Sequence, residues 1–340
     1  MAVTDYVFGR LSTGKTVKAF ILENSNGSKV TLVEYGAAIQ SIKIRDKKGY
    51  QIDVVLGYDS PEEYEYNDGC LGATIGRFAN RINNAEFELN GISYKLTENE
   101  GKNHIHGGNN GFARRLWKGT SDGKSVIFYL NSFDGEEGYP GNIKISVMYF
   151  LDDNDALHIR YKATTDKDTI INLTNHSYFN LDSSEKIFEH VLLINSNKIT
   201  EVNDDSIPTG NILNVENTPF DFTVPKKIGS NIDDNNIQIN IGKGYDHNYI
   251  LLSNVAAVLY SEKSGIEMTV ETDRPGMQLY TANFLTDRIG KGGMIMRKRS
   301  AVCFETQNFP DAINHDNFPE CVLRKDEEFQ SETVYRFRIR

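Results

Sequence analysis

The sequence predicts an all-β fold of antiparallel strands. Apolar residues recur with a period of two along most of the chain, and Gly, Asn and Asp interrupt the runs at hairpin spacing. No stretch carries three turns of helical periodicity, so the βαβ alternation of a parallel sheet is missing. Strand-length β-branched or aromatic runs occupy Lys29–Val33, Ile39–Ile44, Ile52–Leu56, Val126–Leu130, Ile143–Phe150, Leu157–Ala163, Ile170–Leu173 and Val191–Ile194. Further runs follow at Ala256–Tyr260, Ile266–Thr272, Met277–Thr281, Ala301–Glu305 and Thr333–Ile339. Between Phe87–Leu89 and Ile92–Leu96, Asn90-Gly91 supplies the positive φ angles of a type I′ hairpin turn. Asp152–Asp155 and Glu262–Gly265 read as longer turns, Pro61–Tyr66 as one helical turn, and Gly229–Asn240 as a surface loop. With 8 prolines and no linker-like stretch, residues 1–340 read as one continuous sandwich or barrel domain.

Composition narrows the function. The 340 residues carry a net charge of −10, which disfavours a polyanionic nucleic-acid partner. No apolar run approaches the ~20 residues that span a bilayer, and the start Met1-Ala2-Val3-Thr4-Asp5 is polar, so neither membrane nor secretion is expected. Three widely spaced cysteines, Cys70, Cys303 and Cys321, argue against a disulfide framework and for a reducing cytoplasm. Gly9–Thr16 matches the phosphate-loop pattern of nucleotide-binding enzymes letter for letter. That motif needs a helix after it, whereas Val17–Leu22 alternates like a strand, so a polar turn is the better reading.

Seven histidines can be weighed one by one. His158 lies on an alternating strand facing solvent, and His190 and His315 lack chemical companions. His104-Ile105-His106 before Gly107-Gly108 raises the question of metal, since both rings share a side on a regular strand. No third ligand of matching type follows, and the glycines point instead to a close backbone approach beside His106. His176, within Asn175–Leu181, sits at a strand end, where pockets of β folds gather. Glu305 ends the apolar run Ala301–Phe304; an acid there is costly to bury unless it is paired or used. Gly76–Arg81 sets Asn80 beside Arg81, and Gly244–Asn248 carries Asp246 and His247. Arg, Asn, Asp, Gln and His together suit sugar hydroxyls, each of which both donates and accepts.

These pieces together resemble the aldose 1-epimerase family. The matching runs are GRFANRI (Gly76–Ile82), NHIHGG (Asn103–Gly108), DGEEGYPG (Asp134–Gly141), NLTNHSYFNL (Asn172–Leu181), GYDHNY (Gly244–Tyr249), PGMQLYTANFL (Pro275–Leu285) and ETQNFPDA (Glu305–Ala312). Ala282, in place of a more usual glycine, and Lys325-Asp326, in place of Pro-Gly, are the departures. The resemblance implies a large antiparallel β-supersandwich with a cleft on one face. It implies Glu305 as general base, His176 as general acid and His106 as a second histidine at the ring oxygen. It further implies that Asn80, Arg81, His106, Asp246 and Gln278 bind hydroxyls, with Tyr178 lining the site. His104 and His247 receive no role.

The implied reaction opens a pyranose and recloses it on the other face of C1, which needs one acid, one base, no cofactor and no metal. The expected partner is a free aldohexose such as D-galactose or D-glucose, and the expected assembly is a monomer or homodimer. A hexose-6-phosphate epimerase, a non-catalytic sugar-binding module and a cupin-like metalloenzyme are the alternatives. The first would need more basic residues at the cleft than Arg81 alone. Nearby Asp246 and Glu305 are expected to raise the His176 pKa and keep that acid protonated.

Overall fold

In a computed structural model, which describes residues 2–66 and 69–340, the chain forms three large antiparallel sheets and several two-stranded ones. A five-stranded sheet runs in chain order from Ala2–Arg10 to Gln51–Asp53. A nine-stranded sheet is centred on Ala156–Thr165, Glu328–Ile339 and Ile266–Thr272. A six-stranded sheet places Tyr178–Phe179, Val302–Gln307, Gly276–Tyr280 and Asp246–Ile250 side by side, followed by Lys198–Val202 and Pro208–Asn214.

Burial follows the period of two. Ile143–Leu151 alternates buried and outward residues along its whole length, which packs one face on the core and leaves the other wet. The core lies between the nine-stranded and six-stranded sheets. Phe179 meets Tyr335 edge to face at 4.8 Å, and the Tyr335 hydroxyl donates to the Phe304 carbonyl at 3.3 Å. Beside it, Phe20 of the five-stranded sheet packs on Phe128 at 5.7 Å. The apolar side of Val302–Gln307 is thereby fixed, and its polar side is free to form the floor of a cleft.

Several local readings hold. Asn90 and Gly91 have φ of 54° and 74° and join Glu86–Leu89 to Ile92–Lys95. Gly9–Thr16 is a hairpin: Leu11 N–H bonds the Lys15 carbonyl at 2.9 Å, and Thr16–Glu23 continues as a strand. Pro61–Glu65 is a helical turn, with Ser60 and Glu63 forming a capping box.

Other readings are corrected by particular side chains. Ile52–Leu56 is shorter, Gln51–Asp53, because the Asp53 carboxylate accepts the Ile42 N–H that a longer ladder would use. Ile170–Leu173 divides into Thr169–Ile170 and Thr174–Asn175. Between them the Asn172 amide bonds the Ala79 and Asn308 carbonyls and the Asn308 N–H, tying three segments together. Within the presumed loop Gly229–Asn240, a short helix begins and runs Ile237–Gly242. Asn236 caps it, Ile239 is buried, and the Gln238 amide bonds both backbone groups of Val202.

Candidate active site

The site is assembled by register. Gln278 lies opposite both Asn248 and Glu305, and Asp246 lies opposite Tyr280, which faces Cys303, itself opposite Tyr178. Residues directly opposite one another in an antiparallel sheet share a face. One face of the six-stranded sheet therefore carries Asp246, Gln278, Glu305 and Tyr178 together.

His176 comes from the segment between Thr174–Asn175 and Tyr178–Phe179, where its N–H bonds the Ala73 carbonyl at 2.9 Å. Its ring stacks on Tyr178 at 5.0 Å and 21°. Its Nε2 stands 3.5 Å from Glu305 Oε1, and both side chains are buried.

His106 enters by a break in its strand. His104–Ile105 pairs with Arg81–Ile82, and His106 then takes a left-handed φ of 52°. That turn cancels the alternation expected for His-x-His. His104 goes into the core, its Nδ1 donating to the Thr97 carbonyl at 2.7 Å and its Nε2 accepting from the Tyr139 hydroxyl at 2.6 Å. The His106 ring instead sits 5.4 Å from that of His176. The close approach signalled by the glycines is here: a Cβ on Gly107 would lie 1.9 Å from the Gly76 carbonyl oxygen.

Asn80 and Arg81 complete the rim. The Asn80 backbone holds His106 twice: its carbonyl accepts the His106 N–H at 3.1 Å, and its N–H donates to the His106 ring Nδ1 at 3.2 Å. Arg81 grips Glu100 side-on, Nε to Oε2 at 2.5 Å and Nη2 to Oε1 at 2.6 Å. Gln278 Nε2 donates to Asp246 Oδ1 at 2.7 Å. All eight anticipated site residues are thus adjacent, and seven of them line a cleft of about 390 Å³, while Gln278 reaches it through Asp246.

The cleft also holds residues that the sequence did not point to. Glu100 and Arg288 line it, as do Tyr280 and Phe284. Tyr280 and Phe284 fall within the quoted run Pro275–Leu285, but Glu100 is 19 positions from Arg81 and no local pattern joins them. His247 lies outside it: its Nδ1 accepts the Asp246 N–H at 3.2 Å and its ring packs on Phe220, so it holds the Asp246 backbone.

Burial governs the electrostatics. It pushes the Glu305 carboxyl well above its ordinary range; the Asp246 charge adds to this and Arg81 opposes it. Burial also raises Asp246, against the pull of Arg81. His176 is pushed down by burial, to about 4. This reverses the expectation of a raised imidazole: desolvation outweighs the one opposing influence, a backbone hydrogen bond.

His106, His176 and Glu305 offer three donor atoms within 4.8 Å of one another, a spacing that could hold a metal ion. The His106 tautomer argues against ligation. Because Nδ1 accepts the Asn80 N–H, the ring hydrogen sits on Nε2. That nitrogen is then a donor into the cleft and has no lone pair for a metal. Dialysis against a chelator is accordingly expected to leave sugar turnover unchanged; loss restored by added Zn²⁺ or Mn²⁺ would contradict this assignment.

Comparison with known proteins gives one consistent answer. The family model described as aldose 1-epimerase matches residues 18–336. A Bos taurus galactose mutarotase is 39% identical over 347 residues, covering 100% of this chain and 99% of the relative. An aldose 1-epimerase of Escherichia coli (strain K12) is 36% identical over 335 residues, covering 95% of this chain and 96% of that one. Among solved structures, an aldose epimerase homologue from C. elegans superposes with a TM-score of 0.89 at 34% identity, covering 94% of this chain and 98% of that one. The galactose 1-epimerase of Lactobacillus acidophilus NCFM gives 0.88 at 29% identity, covering 99% and 98%. With a β-supersandwich architecture, a polar cleft on one sheet face and these full-length matches, the chain belongs to the aldose 1-epimerase family.

Proposed function

We propose that the cleft interconverts the α and β anomers of free aldohexoses such as D-galactose and D-glucose. The observation that carries this reading is the buried pair Glu305 and His176, 3.5 Å apart on the floor of a cleft rimmed by polar side chains. Relatives named galactose mutarotase and aldose 1-epimerase, similar along the whole chain, support it. A cytoplasmic setting suits three free thiols, and among the described residues no helix is long and apolar enough to cross a membrane.

The chemistry needs one proton on the pair. Burial favours its uncharged form, a carboxylic acid beside a neutral imidazole, and transfer across the 3.5 Å gap gives the carboxylate and imidazolium. Arg81 stabilises the carboxylate. Glu305 then takes the C1 hydroxyl proton while His176 gives its proton to the ring oxygen. The C1–O5 bond breaks and the C1 carbonyl forms. After rotation about C1–C2, O5 attacks the other face of C1, Glu305 returns its proton to the carbonyl oxygen, and His176 takes one back from O5. The His106 Nε2–H can donate to a substrate oxygen, while Asn80, Arg81, Asp246 and Gln278 hold the hydroxyls. No electrons leave the sugar, so no redox cofactor is needed.

This pair sets the pH dependence. As pH falls through about 4, a second proton binds and no base remains. As pH rises through the elevated Glu305 value, the last proton leaves and no acid remains. The kcat/KM profile is expected to be bell-shaped with its acid limb near pH 4; an acid limb at the ordinary imidazole value of ~6.5 would contradict the assignment. The activity itself is tested by exchange NMR at anomeric equilibrium, by saturating the α-anomer H1 of galactose and then of glucose. Transfer to the β signal above the buffer rate supports the proposal, and the two rates rank the sugars. A buffer rate for both would reject it.

A further inference from the structure

We propose that Glu100 is a specificity-determining residue: by occupying one edge of the Arg81 guanidinium it restricts the cleft to uncharged sugars. This rests on the sugar-cleft reading above. A planar guanidinium fork matches carboxylate and phosphate geometry, and inside a cleft it would ordinarily capture an anion. Here that place is taken internally. Glu100 accepts from both Nε and Nη2 of Arg81, whose side chain is only 12% exposed. What remains of Arg81 can donate to a neutral hydroxyl, with its charge largely cancelled.

The surroundings act in the same direction. Asp246 and Glu305 both act electrostatically on the Arg81 charge. Arg288 also lines the cleft, where it bonds Thr286 and the Tyr58 hydroxyl. Among the described lining residues, the carboxylates Glu100, Asp246 and Glu305 outnumber the two arginines. Removing the Glu100 charge leaves two acidic groups against two arginines and frees the Nε–Nη2 edge of Arg81 for an anion.

The loop itself does not depend on the Glu100 side chain. Asn99 and Glu100 N–H groups bond the Asn103 carbonyl, Asn103 N–H bonds the Glu100 carbonyl, and the Asn99 side chain bonds both backbone groups of Ile105, so the turn is closed without the Glu100 side chain. A substitution can therefore change charge without opening the turn.

The test is calorimetric titration of inorganic phosphate, in phosphate-free buffer, into wild type, Glu100→Gln, Glu100→Ala and Glu100→Asp. Glu100→Gln and Glu100→Ala are expected to bind phosphate at least ~10-fold more tightly than wild type, and Glu100→Asp to resemble wild type. Adding Arg81→Lys to Glu100→Gln should remove the gain. In parallel, the ratio of kcat/KM for D-galacturonate to that for D-galactose should rise ~10-fold in Glu100→Gln. A merely structural role for Glu100 would lower both rates and leave the ratio unmoved. Equal phosphate affinity in wild type and both charge-removing variants, with unchanged melting temperatures, would overturn the proposal. Absence of galactose turnover by wild type would instead reject the functional reading, while the titration would still decide the role of Glu100.

Discussion

Glu305→Gln is expected to lower kcat for anomer interconversion by about 10²–10⁴-fold, the usual contribution of one general base. KM should change little, because glutamine keeps the shape of the side chain and its hydrogen-bonding oxygen. The backbone should not notice the change either. Val302–Gln307 is held by pairing to Gly276–Tyr280 and by the Tyr335 hydroxyl from the core side.

Stability should move the other way. Burial raises the Glu305 pKa, so the folded protein binds this proton more tightly than the unfolded chain does. Above the ordinary carboxyl range, such a group costs stability, and the cost grows until pH reaches the folded value. At neutral pH the amide variant should therefore melt no lower than wild type. Lost activity with an equal or higher Tm identifies a catalytic defect; lost activity with a lower Tm would count against that reading.

His176→Asn is expected to lower kcat by a similar factor, again with a small change in KM. Asparagine can still hydrogen-bond in the cleft but cannot carry the proton to the ring oxygen. The lost stacking on Tyr178 affects placement more than chemistry. Acid and base act as one unit, so the double variant Glu305→Gln/His176→Asn should be about as slow as either single variant. Retention of activity within a few-fold of wild type in His176→Asn would move the acid to another group. His106 would be the first to examine, since its ring lies 5.4 Å away and it faces the same cleft.

Much of this architecture was legible because sheets write their periodicity into the chain. Val191–Ile194 and Ile266–Thr272 have the bounds that alternation predicts. Asn90-Gly91 declared its turn through backbone chemistry alone. Reading failed where a side chain replaced a ladder bond, as Asp53 does for Ile42 and Asn172 does between Thr169–Ile170 and Thr174–Asn175. Such substitutions depend on partners far along the chain and leave no local mark. The helix Ile237–Gly242 was hidden for a related reason: its buried Gln238 is satisfied by Val202, 36 positions away.

The site divides in the same way. Residue types suited to sugar hydroxyls were visible in short runs, and the family resemblance ordered them. The parting of His104 and His106 was not visible, because it depends on a left-handed turn at a non-glycine residue. Nor was the lowered His176 pKa. The charges of Asp246 and Glu305 suggested a raised value, and only the depth of burial decided the sign. The Arg81–Glu100 pair was likewise a matter of three-dimensional proximity.

In this mechanism Glu305 and His176 together move protons at C1 and the ring oxygen of a free sugar. Polarimetry of freshly dissolved α-D-galactose tests it most directly, with wild type, Glu305→Gln and buffer alone run side by side. Rapid decay of rotation to the equilibrium value is expected with wild type, and near-buffer decay with the variant. Equal rates in wild type and Glu305→Gln, or no acceleration by wild type, would contradict this mechanism.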